Sequence, residues 1–391
     1  MNYLSCKRIF FSLCCIAFSA IEASPCTSAI VAADASASGR PLLWKHRDTS
    51  NTDNVIDYIP GKDGEHSYVA LYNATDTKRD EAWIGMNEVG FAVMNTASYN
   101  IKDDKVPQSK MDREGFVMSI ALRSCTTVDD FEALLNSLPR PMGVEANFGV
   151  IDAYGNGAFF ETNNHSYVKY DLSDAPGGVL IRTNYSHSGR KGEGYGYVRE
   201  ANANHILAPY IEEGGITPEL LTENLSRNFY HDVNKTDGLS SSARWIVDED
   251  YIPRYKSTAT VVIEGIQPLD LKDTPIPEFI IPEYIMWTGL GYPPCSEIMP
   301  VWCHADGVDD ELKATAAGGT SPKANLARSR RDIVFNYPQG KSKKRSSKYI
   351  DTRALSNSDG TGFIQILTPE NLEVYRLIKE KRDRKAIDFN Y

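Results

Sequence analysis

The stretch Ala23-Ser24-Pro25-Cys26-Thr27-Ser28-Ala29-Ile30-Val31 lies where an apolar leader ends and a β-prone run begins. The leader carries Lys7 and Arg8, followed by an apolar segment over residues 9–20. At 1.5 Å per residue, this segment is too short to cross a bilayer as a helix. A positive start, a short apolar segment and small residues near the end are typical of a secretory signal peptide. We therefore expect export to the periplasm or the extracellular space.

Removal of residues 1–25, as a signal peptide and a short propeptide, would make Cys26 the first residue of the mature chain. Pro25 disfavours a signal peptidase cut directly before Cys26, so a cut after Ala23 followed by loss of Ser24-Pro25 is one route. An N-terminal cysteine combines a thiol of pKa about 8.5 with an α-amine of pKa about 7.7–8.0. Because the amine can accept the thiol proton, such a residue can act as a nucleophile without a separate histidine.

Composition limits the function classes. The chain of 391 residues is 41% apolar and 24% charged, with a formal net charge of −10, which is typical of a soluble globular protein. An acidic protein is a poor general binder of nucleic acid, and no membrane span follows the leader. The mature cysteines show neither a CxxC pair nor zinc-ligand spacing, so we expect no metal site. Cys295 and Cys303 could pair in an oxidising compartment, which the sequence leaves open.

Many β-prone segments and a few helical ones, without regular βαβ alternation, predict an α+β fold with mainly antiparallel sheets. No linker separates a second domain, so we expect a single domain over residues 26–391 with a polar C-terminal region from about residue 306. The predicted strands cover residues 26–32, 42–45, 66–72, 82–84, 91–95, 147–152, 158–161, 178–183, 257–265 and 285–288. The predicted helices cover residues 117–122, 128–138, 195–213, 217–229 and 370–381.

Four segments in order resemble a known family. They are Cys26-Thr27-Ser28 with Leu43-Trp44-Lys45-His46-Arg47-Asp48, Ile84-Gly-Met-Asn-Glu-Val-Gly-Phe-Ala-Val93, Phe148-Gly-Val-Ile-Asp152 with Phe160-Glu161, and Arg182-Thr183-Asn184-Tyr185. Together they resemble the N-terminal-nucleophile hydrolases, in particular the group of bile-salt amidases, penicillin amidases and penicillin-forming acyltransferases. Residues 286–295 are similar to exported members of its linear-amide hydrolase branch. The resemblance implies a four-layer αββα sandwich of two antiparallel sheets.

The resemblance also implies roles for individual residues. Cys26 is the nucleophile, Asp48 holds the amine and the thiol, and Asn184 donates to the oxyanion. Asn95 lies near the place of a second oxyanion donor. In that group the second strand of the hairpin usually ends in Gly-Arg-Asn-hydrophobic-Asp. Lys45 stands at the place of its arginine, which keeps the charge but loses the bidentate fork. The family's later arginine matches either Arg244 or Arg254, and the sequence leaves that choice open.

These roles predict a hydrolase of linear amides that acts through a thioester on Cys26 and needs neither a metal nor an organic cofactor. Its partner is a small-molecule amide substrate, and a homo-oligomer is compatible with the sequence. Acyl transfer to an amine instead of water would make the protein an acyltransferase. Two further possibilities stay open: a non-catalytic secreted binding protein in which Cys26 remains internal, and a conventional Cys–His hydrolase.

Overall fold

A computed structural model of the chain describes residues 26–269, 280–339, 345–387 and 389. The signal peptide and propeptide expected over residues 1–25 lie outside the described residues.

The described chain is richer in strands than in helices. The strands are β1 Thr27–Val31, β2 Leu42–Asp48, β3 Asn54–Ile59, β4 Tyr68–Asn73, β5 Ile84–Asn87, β6 Ala92–Ala97, β7 Ala146–Ile151, β8 Gly157–Thr162, β9 Tyr167–Asp171, β10 Val179–Arg182, β11 Tyr230–His231, β12 Thr236–Asp237, β13 Trp245–Val247, β14 Ser257–Glu264, β15 Ile285–Leu290, β16 Ile298–Val301, β17 Tyr337–Pro338, β18 Arg345–Ser346 and β19 Tyr349–Asp351. The helices are α1 Glu114–Ser124, α2 Val128–Ser137, α3 Tyr197–Glu213, α4 Pro322–Val334, α5 Thr352–Leu355 and α6 Phe363–Asp383.

Two large antiparallel sheets dominate the described chain. The first has the order β10-β1-β2-β14-β15-β16, and the second is a meander of seven strands from β3 to β9. The N-terminal hairpin pairs β1 with β2, so that Thr27 lies opposite His46 and Val31 opposite Leu42. Strand β2 also pairs with β14. This central place in the first sheet explains why β2 continues to Asp48, beyond the predicted strand.

The side chains of each sheet alternate between two apolar layers, as the two-residue period of a strand requires. Along β14, Val261 and Ile263 pack between the sheets, whereas Val262 packs towards the helices. A third apolar layer joins the outer face of the second sheet to α1 and α2. The layers are therefore helix, sheet, sheet and helix, and the predicted αββα sandwich is confirmed.

Some local predictions need correction. The helix predicted over residues 217–229 is replaced by a π-helical turn, Leu220–Asn224, and a 3₁₀ turn, Leu225–Arg227. Inside it, the Ser226 hydroxyl donates to the Leu221 carbonyl at 2.8 Å, a side-chain bond that competes with a regular helical ladder. Strands β3 and β9 were not predicted, because they form the two edges of the second sheet and contain charged residues.

The C-terminal helix α6 covers the outer face of the first sheet, where Tyr375 packs on Trp287 with ring centroids 4.2 Å apart. Cys295 and Cys303 are both free and lie in different apolar clusters, so the structure contains no disulfide between them. Within the described ranges, no helix is long and apolar enough to cross a membrane.

Candidate active site

Cys26 lies directly before β1, and only 6% of its surface is exposed. Its backbone nitrogen donates to Oδ1 of Asn184 at 2.7 Å, and its thiol donates to the backbone oxygen of Asp48 at 3.8 Å. Strand alternation puts Cys26 on the same face as Ile30, which packs between the two sheets. The thiol therefore faces the second sheet, at the end of the space between the sheets.

Asn184 is held on both its backbone and its side chain. Its backbone forms an antiparallel bridge with Tyr195, and its Nδ2 donates to the carbonyl of Ala97 at 2.9 Å. Asn147 of β7 secures the same segment, because its Nδ2 donates to the carbonyls of Thr183 and Tyr185 at 3.2 and 3.1 Å. The second sheet thus fixes the amide that accepts the Cys26 nitrogen.

Arg199, in the first turn of α3, joins the nucleophile to Asn184. It donates through Nη1 to the carbonyl of Cys26 and to Oγ1 of Thr27, the latter at 2.8 Å, and through Nη2 to Oδ1 of Asn184 at 2.8 Å. Burial lowers the pKa of Arg199 to about 9, so the guanidinium stays cationic at neutral pH. Gly196 has φ +97°, and a Cβ there would approach Arg199 Nη2 to 2.4 Å. A glycine is therefore required beside this arginine.

Asp48 ends β2 on the face that points towards the helices. Its Oδ1 accepts the Ser257 hydroxyl at 2.5 Å, and its Oδ2 pairs with the Arg254 guanidinium. The structure thus brings Arg254 to the site, whereas Arg244 pairs with Asp351 at 2.8 Å and is 53% exposed at its side chain. The Asp48 backbone oxygen faces the thiol, and its carboxylate organises Arg254 and Ser257.

His46 lies on the same helix-side face as Asp48. Its Nε2 is 2.8 Å from the Ser257 hydroxyl and 3.5 Å from Asp48 Oδ1. Burial lowers the pKa of His46 to about 4, so the imidazole is neutral near pH 7. Because the Cys26 thiol faces the other side of the sheet, His46 is not placed to take its proton directly.

Lys45 points from β2 into the space between the sheets. Its ammonium donates to the Trp83 carbonyl at 2.7 Å and to Oδ1 of Asn95 at 2.8 Å. This contact turns the NH₂ group of Asn95 away from the lysine, which leaves a donor with a fixed orientation on β6. Burial lowers the pKa of Lys45 to about 7, while an ionised Cys26 thiol acts to raise it.

Arg47 is the second cation on the same face of β2. It donates to Oδ1 of Asn54 and, at 2.8 Å, to Oδ1 of Asn73, and its Cζ lies 5.0 Å from the ring centroid of Trp83. Burial lowers the pKa of Arg47 to about 10, and an ionised Cys26 again acts to raise it. Both Lys45 and Arg47 therefore interact electrostatically with the Cys26 sulfur.

The structure brings three predicted residues into direct contact, Cys26, Asp48 and Asn184, and joins the other two, Lys45 and Asn95, beside them. Sequence reasoning missed the roles of Arg199, Arg47, Trp83 and Asn147. Only Arg47 had a visible signal, since it is a second cation two positions after Lys45 on the same strand. Across the described ranges, no group of three or more histidine, cysteine, aspartate or glutamate side chains could hold a metal ion.

No protein-family model matches the chain, and no curated protein matches it in sequence. Several solved structures are similar to it. An N-acylethanolamine-hydrolyzing acid amidase ortholog from Caenorhabditis elegans is 13% identical, with 63% of this chain and 94% of that chain covered and a TM-score of 0.38. A mutant conjugated bile acid hydrolase from Clostridium perfringens is 14% identical, with coverages of 72% and 95% and a TM-score of 0.40. Penicillin V acylase from Agrobacterium tumefaciens is 10% identical, with coverages of 76% and 96% and a TM-score of 0.37. Each match spans more than nine-tenths of the other protein's chain.

Proposed function

We propose that the mature protein is an exported hydrolase of linear amides, with Cys26 as its N-terminal nucleophile. The observation that carries this proposal is that two atoms of Cys26 are positioned at once. Its nitrogen donates to Asn184 Oδ1, and its thiol donates to the backbone oxygen of Asp48. Lys45 and Arg47 both interact electrostatically with the sulfur. These contacts fix both atoms that an N-terminal cysteine uses, the amine and the sulfur.

Acylation begins when the α-amine of Cys26 accepts the thiol proton. One N–H of the Cys26 backbone nitrogen points to Asn184 Oδ1, and the amine that processing creates would take up the thiol proton through its lone pair. The sulfur attacks the substrate carbonyl and forms a C–S bond, and the carbonyl oxygen becomes an oxyanion. The amine of Cys26 then returns the proton to the substrate nitrogen, the C–N bond breaks, and the free amine product leaves a thioester on Cys26.

In deacylation, water is the nucleophile and the Cys26 sulfur is the leaving group. Water attacks the thioester carbonyl while the Cys26 amine accepts one of its protons, and the C–S bond breaks to release a carboxylic acid and the thiol. We assign the oxyanion in both steps to amide donors of Asn95 and Asn184. Lys45 orients the first through Oδ1, and Ala97 and Arg199 orient the second. Loss of one such donor costs about 10²–10³ in rate.

A panel of N-acyl amides tests the proposal by the release of free amine. We expect the mature protein to release amine and acid in equal amounts, and a rapid acid quench to trap an acyl group on the Cys26 peptide, seen by mass spectrometry. Added hydroxylamine separates acyl transfer from hydrolysis, because transfer yields a hydroxamate. A processed protein with Cys26 first that releases no amine from any member and forms no acyl-cysteine would contradict the proposal.

A further inference from the structure

Lys45 and Arg47 are buried cations whose bonds go to neutral oxygens. Lys45 is 1% exposed and donates to a carbonyl and an amide; Arg47 is 4% exposed and donates to two asparagine amides. In the part of the chain that the structure describes, neither forms an ion pair with a carboxylate. Buried charges are normally paired, because taking an ion out of water is energetically unfavourable. An arrangement with two such cations calls for a negative partner.

Cys26 supplies too little negative charge to balance them. The ionised thiol is the acidic group that acts to raise the pKa of both Lys45 and Arg47. One thiolate carries one negative charge against two positive ones. When the sulfur forms a thioester, even that charge is lost. Arg47, whose pKa is lowered only to about 10, then keeps its positive charge without a thiolate beside it.

Trp83 adds a third donor at the same place. Its ring centroid lies 5.8 Å from Lys45 Nζ and 5.0 Å from Arg47 Cζ, so both cations lie against the indole. Its Nε1 is buried and has no hydrogen-bond partner among the described residues. A buried donor without a partner is destabilising, because it has given up its hydrogen bond to water. An ammonium, a guanidinium and an indole N–H are all donors, which suits an anion and no cationic or purely apolar group.

The second cation distinguishes this chain from the pattern that it resembles. That pattern has one arginine, at the place of Lys45, and a hydrophobic residue at the place of Arg47. A single cation is balanced by the thiolate alone, whereas a pair is not. The unbalanced positive charge therefore comes from Arg47, and we infer that a negative group of the substrate balances it.

We propose that Arg47, Lys45 and Trp83 form a subsite for a carboxylate of the substrate, next to the scissile amide. This inference rests on the proposed amide hydrolysis and names its substrate class: amides that carry an acidic group close to the C–N bond. The carboxylate can stand on the amine that leaves, as in an N-acyl amino acid, or on the acyl group, as in the monoamide of a short dicarboxylic acid. Both supply the same chemistry to the three donors.

Two matched substrate pairs test the subsite in the mature enzyme. N-octanoyl-alanine against N-octanoyl-alaninamide varies the leaving amine, and a succinic monoanilide against butyranilide varies the acyl group. We expect the acidic member of one pair to have a kcat/KM about 10–100-fold higher, the range of charge-assisted contacts. In Arg47→Met we expect that ratio to fall to about threefold or less, and Arg47→Lys to restore part of it. Equal rates within both pairs would overturn the subsite.

Arg123→Met is the matched control, since Arg123 also lies over an aromatic ring, that of Tyr68 at 5.7 Å, on the other face of the second sheet. It should leave the substrate ratio unchanged. If Arg47→Met does not fold, inhibition of the wild-type enzyme tests the subsite instead. N-acetyl-alanine should inhibit at least about tenfold more strongly than N-acetyl-alaninamide. Equal inhibition by the two compounds would overturn the subsite. A failure of the proposed amide hydrolysis can be told apart from a failure of the subsite, because in that case neither member of either substrate pair reacts.

Discussion

The two faces of β2 offer the same backbone but opposite electrostatic environments. On the helix side, Asp48 is bonded by Ser257 and Arg254, and His46 is neutral. On the side between the sheets, Lys45 and Arg47 carry positive charge, and their bonds end on neutral oxygens. The Cys26 thiol lies at the end of this second face.

The two faces therefore have different roles: the helix side positions the catalytic residues, and the side between the sheets supplies charge to the reaction. A buried, paired network holds its members in one geometry, because removing one partner leaves an uncompensated charge. The surplus charge on the other face cannot be satisfied within the described residues, so it is available to a thiolate, an oxyanion or a substrate anion. Variants that disturb one face at a time should therefore have different effects.

Cys26→Ala removes the nucleophile from the cationic face and should have the largest effect. We expect amide hydrolysis to fall at least about 10³-fold, measured by amine release under single-turnover conditions. The unfolding midpoint should change little, since a small side chain is lost. Cys125→Ala, in the outer helical layer, is the control and should keep full activity. Substantial hydrolysis by Cys26→Ala would place the nucleophile elsewhere.

Asp48→Asn breaks the paired face. It removes the fully buried carboxylate that accepts from Ser257 and pairs with Arg254, so the free energy of unfolding should fall by about 3–5 kcal/mol in urea titrations. We expect kcat/KM to fall about 10²-fold as the hold on the nucleophile loosens.

Two variants act as controls for Asp48→Asn. The double variant Asp48→Asn with Arg254→Met should regain much of the stability but not the activity. Arg40→Met, which breaks a partly exposed pair with Glu283, should cost less than about 1 kcal/mol. Equal unfolding midpoints for Asp48→Asn and Arg40→Met would mean that the two pairs are equivalent.

Arg199→Met removes the link between Cys26, Thr27 and Asn184 and leaves every side chain of β2 in place. Because small displacements at a nucleophile are costly, kcat should fall about 10–100-fold with a smaller change in KM. Gly196→Ala should act in the same direction, since the added Cβ displaces Arg199. Arg190→Met, on an exposed ion pair, is the control. An unchanged kcat in Arg199→Met would show that Arg199 does not help to position the nucleophile.

Lys45→Arg should change the pH profile more than the maximum rate. The pKa of Lys45 is lowered to about 7, so its charge is present below that pH and lost above it. Arginine stays charged, and we expect the decline in kcat/KM above about pH 7 to move to higher pH, with a severalfold gain at pH 9. Lys45→Met should lower the rate across the range. Superimposable profiles for the wild type and Lys45→Arg would remove Lys45 from the pH dependence.

The same group affects stability with the opposite sign. Below about pH 7, lysine is protonated in both the folded and the unfolded chain, so its burial cost is constant. Between about pH 7 and its ordinary pKa of 10.5, the unfolded chain binds more protons, and the stability should therefore rise with pH. Lys45→Met should flatten this part of the urea midpoint curve relative to the wild type. A wild-type curve that is already flat would contradict the lowered pKa.

Much of the fold could be predicted from local patterns. Alternating strands, the turn after β1 and the capping residue Thr127 before α2 leave local signals, and the structure has a capping box there. The edge strands β3 and β9 could not be predicted, because their charged residues hide the alternation. The irregular turn at Leu220–Asn224 depends on side-chain bonds that have no sequence periodicity.

The candidate site could be predicted only for residues on the N-terminal hairpin or next to the strand that pairs with it. Cys26 and Asp48 lie on one hairpin, and Asn184 follows the neighbouring strand β10 by two residues. Arg199 reaches Cys26 across 173 positions, and Lys45 reaches Asn95 in the other sheet. Such contacts depend on how the layers pack, and no local sequence pattern predicts them. The choice between Arg244 and Arg254 was of this kind.

The decisive measurement for an N-terminal cysteine mechanism is the mass of the N-terminal peptide of the active enzyme. The active protein is purified, its activity is titrated with a thiol-directed reagent, and the labelled peptide is sequenced. We predict that the active fraction begins at Cys26, with a free α-amine and one label on that residue. Active protein that retains residues before Cys26, such as Ser24-Pro25, would contradict this mechanism, because an amide nitrogen cannot accept the thiol proton.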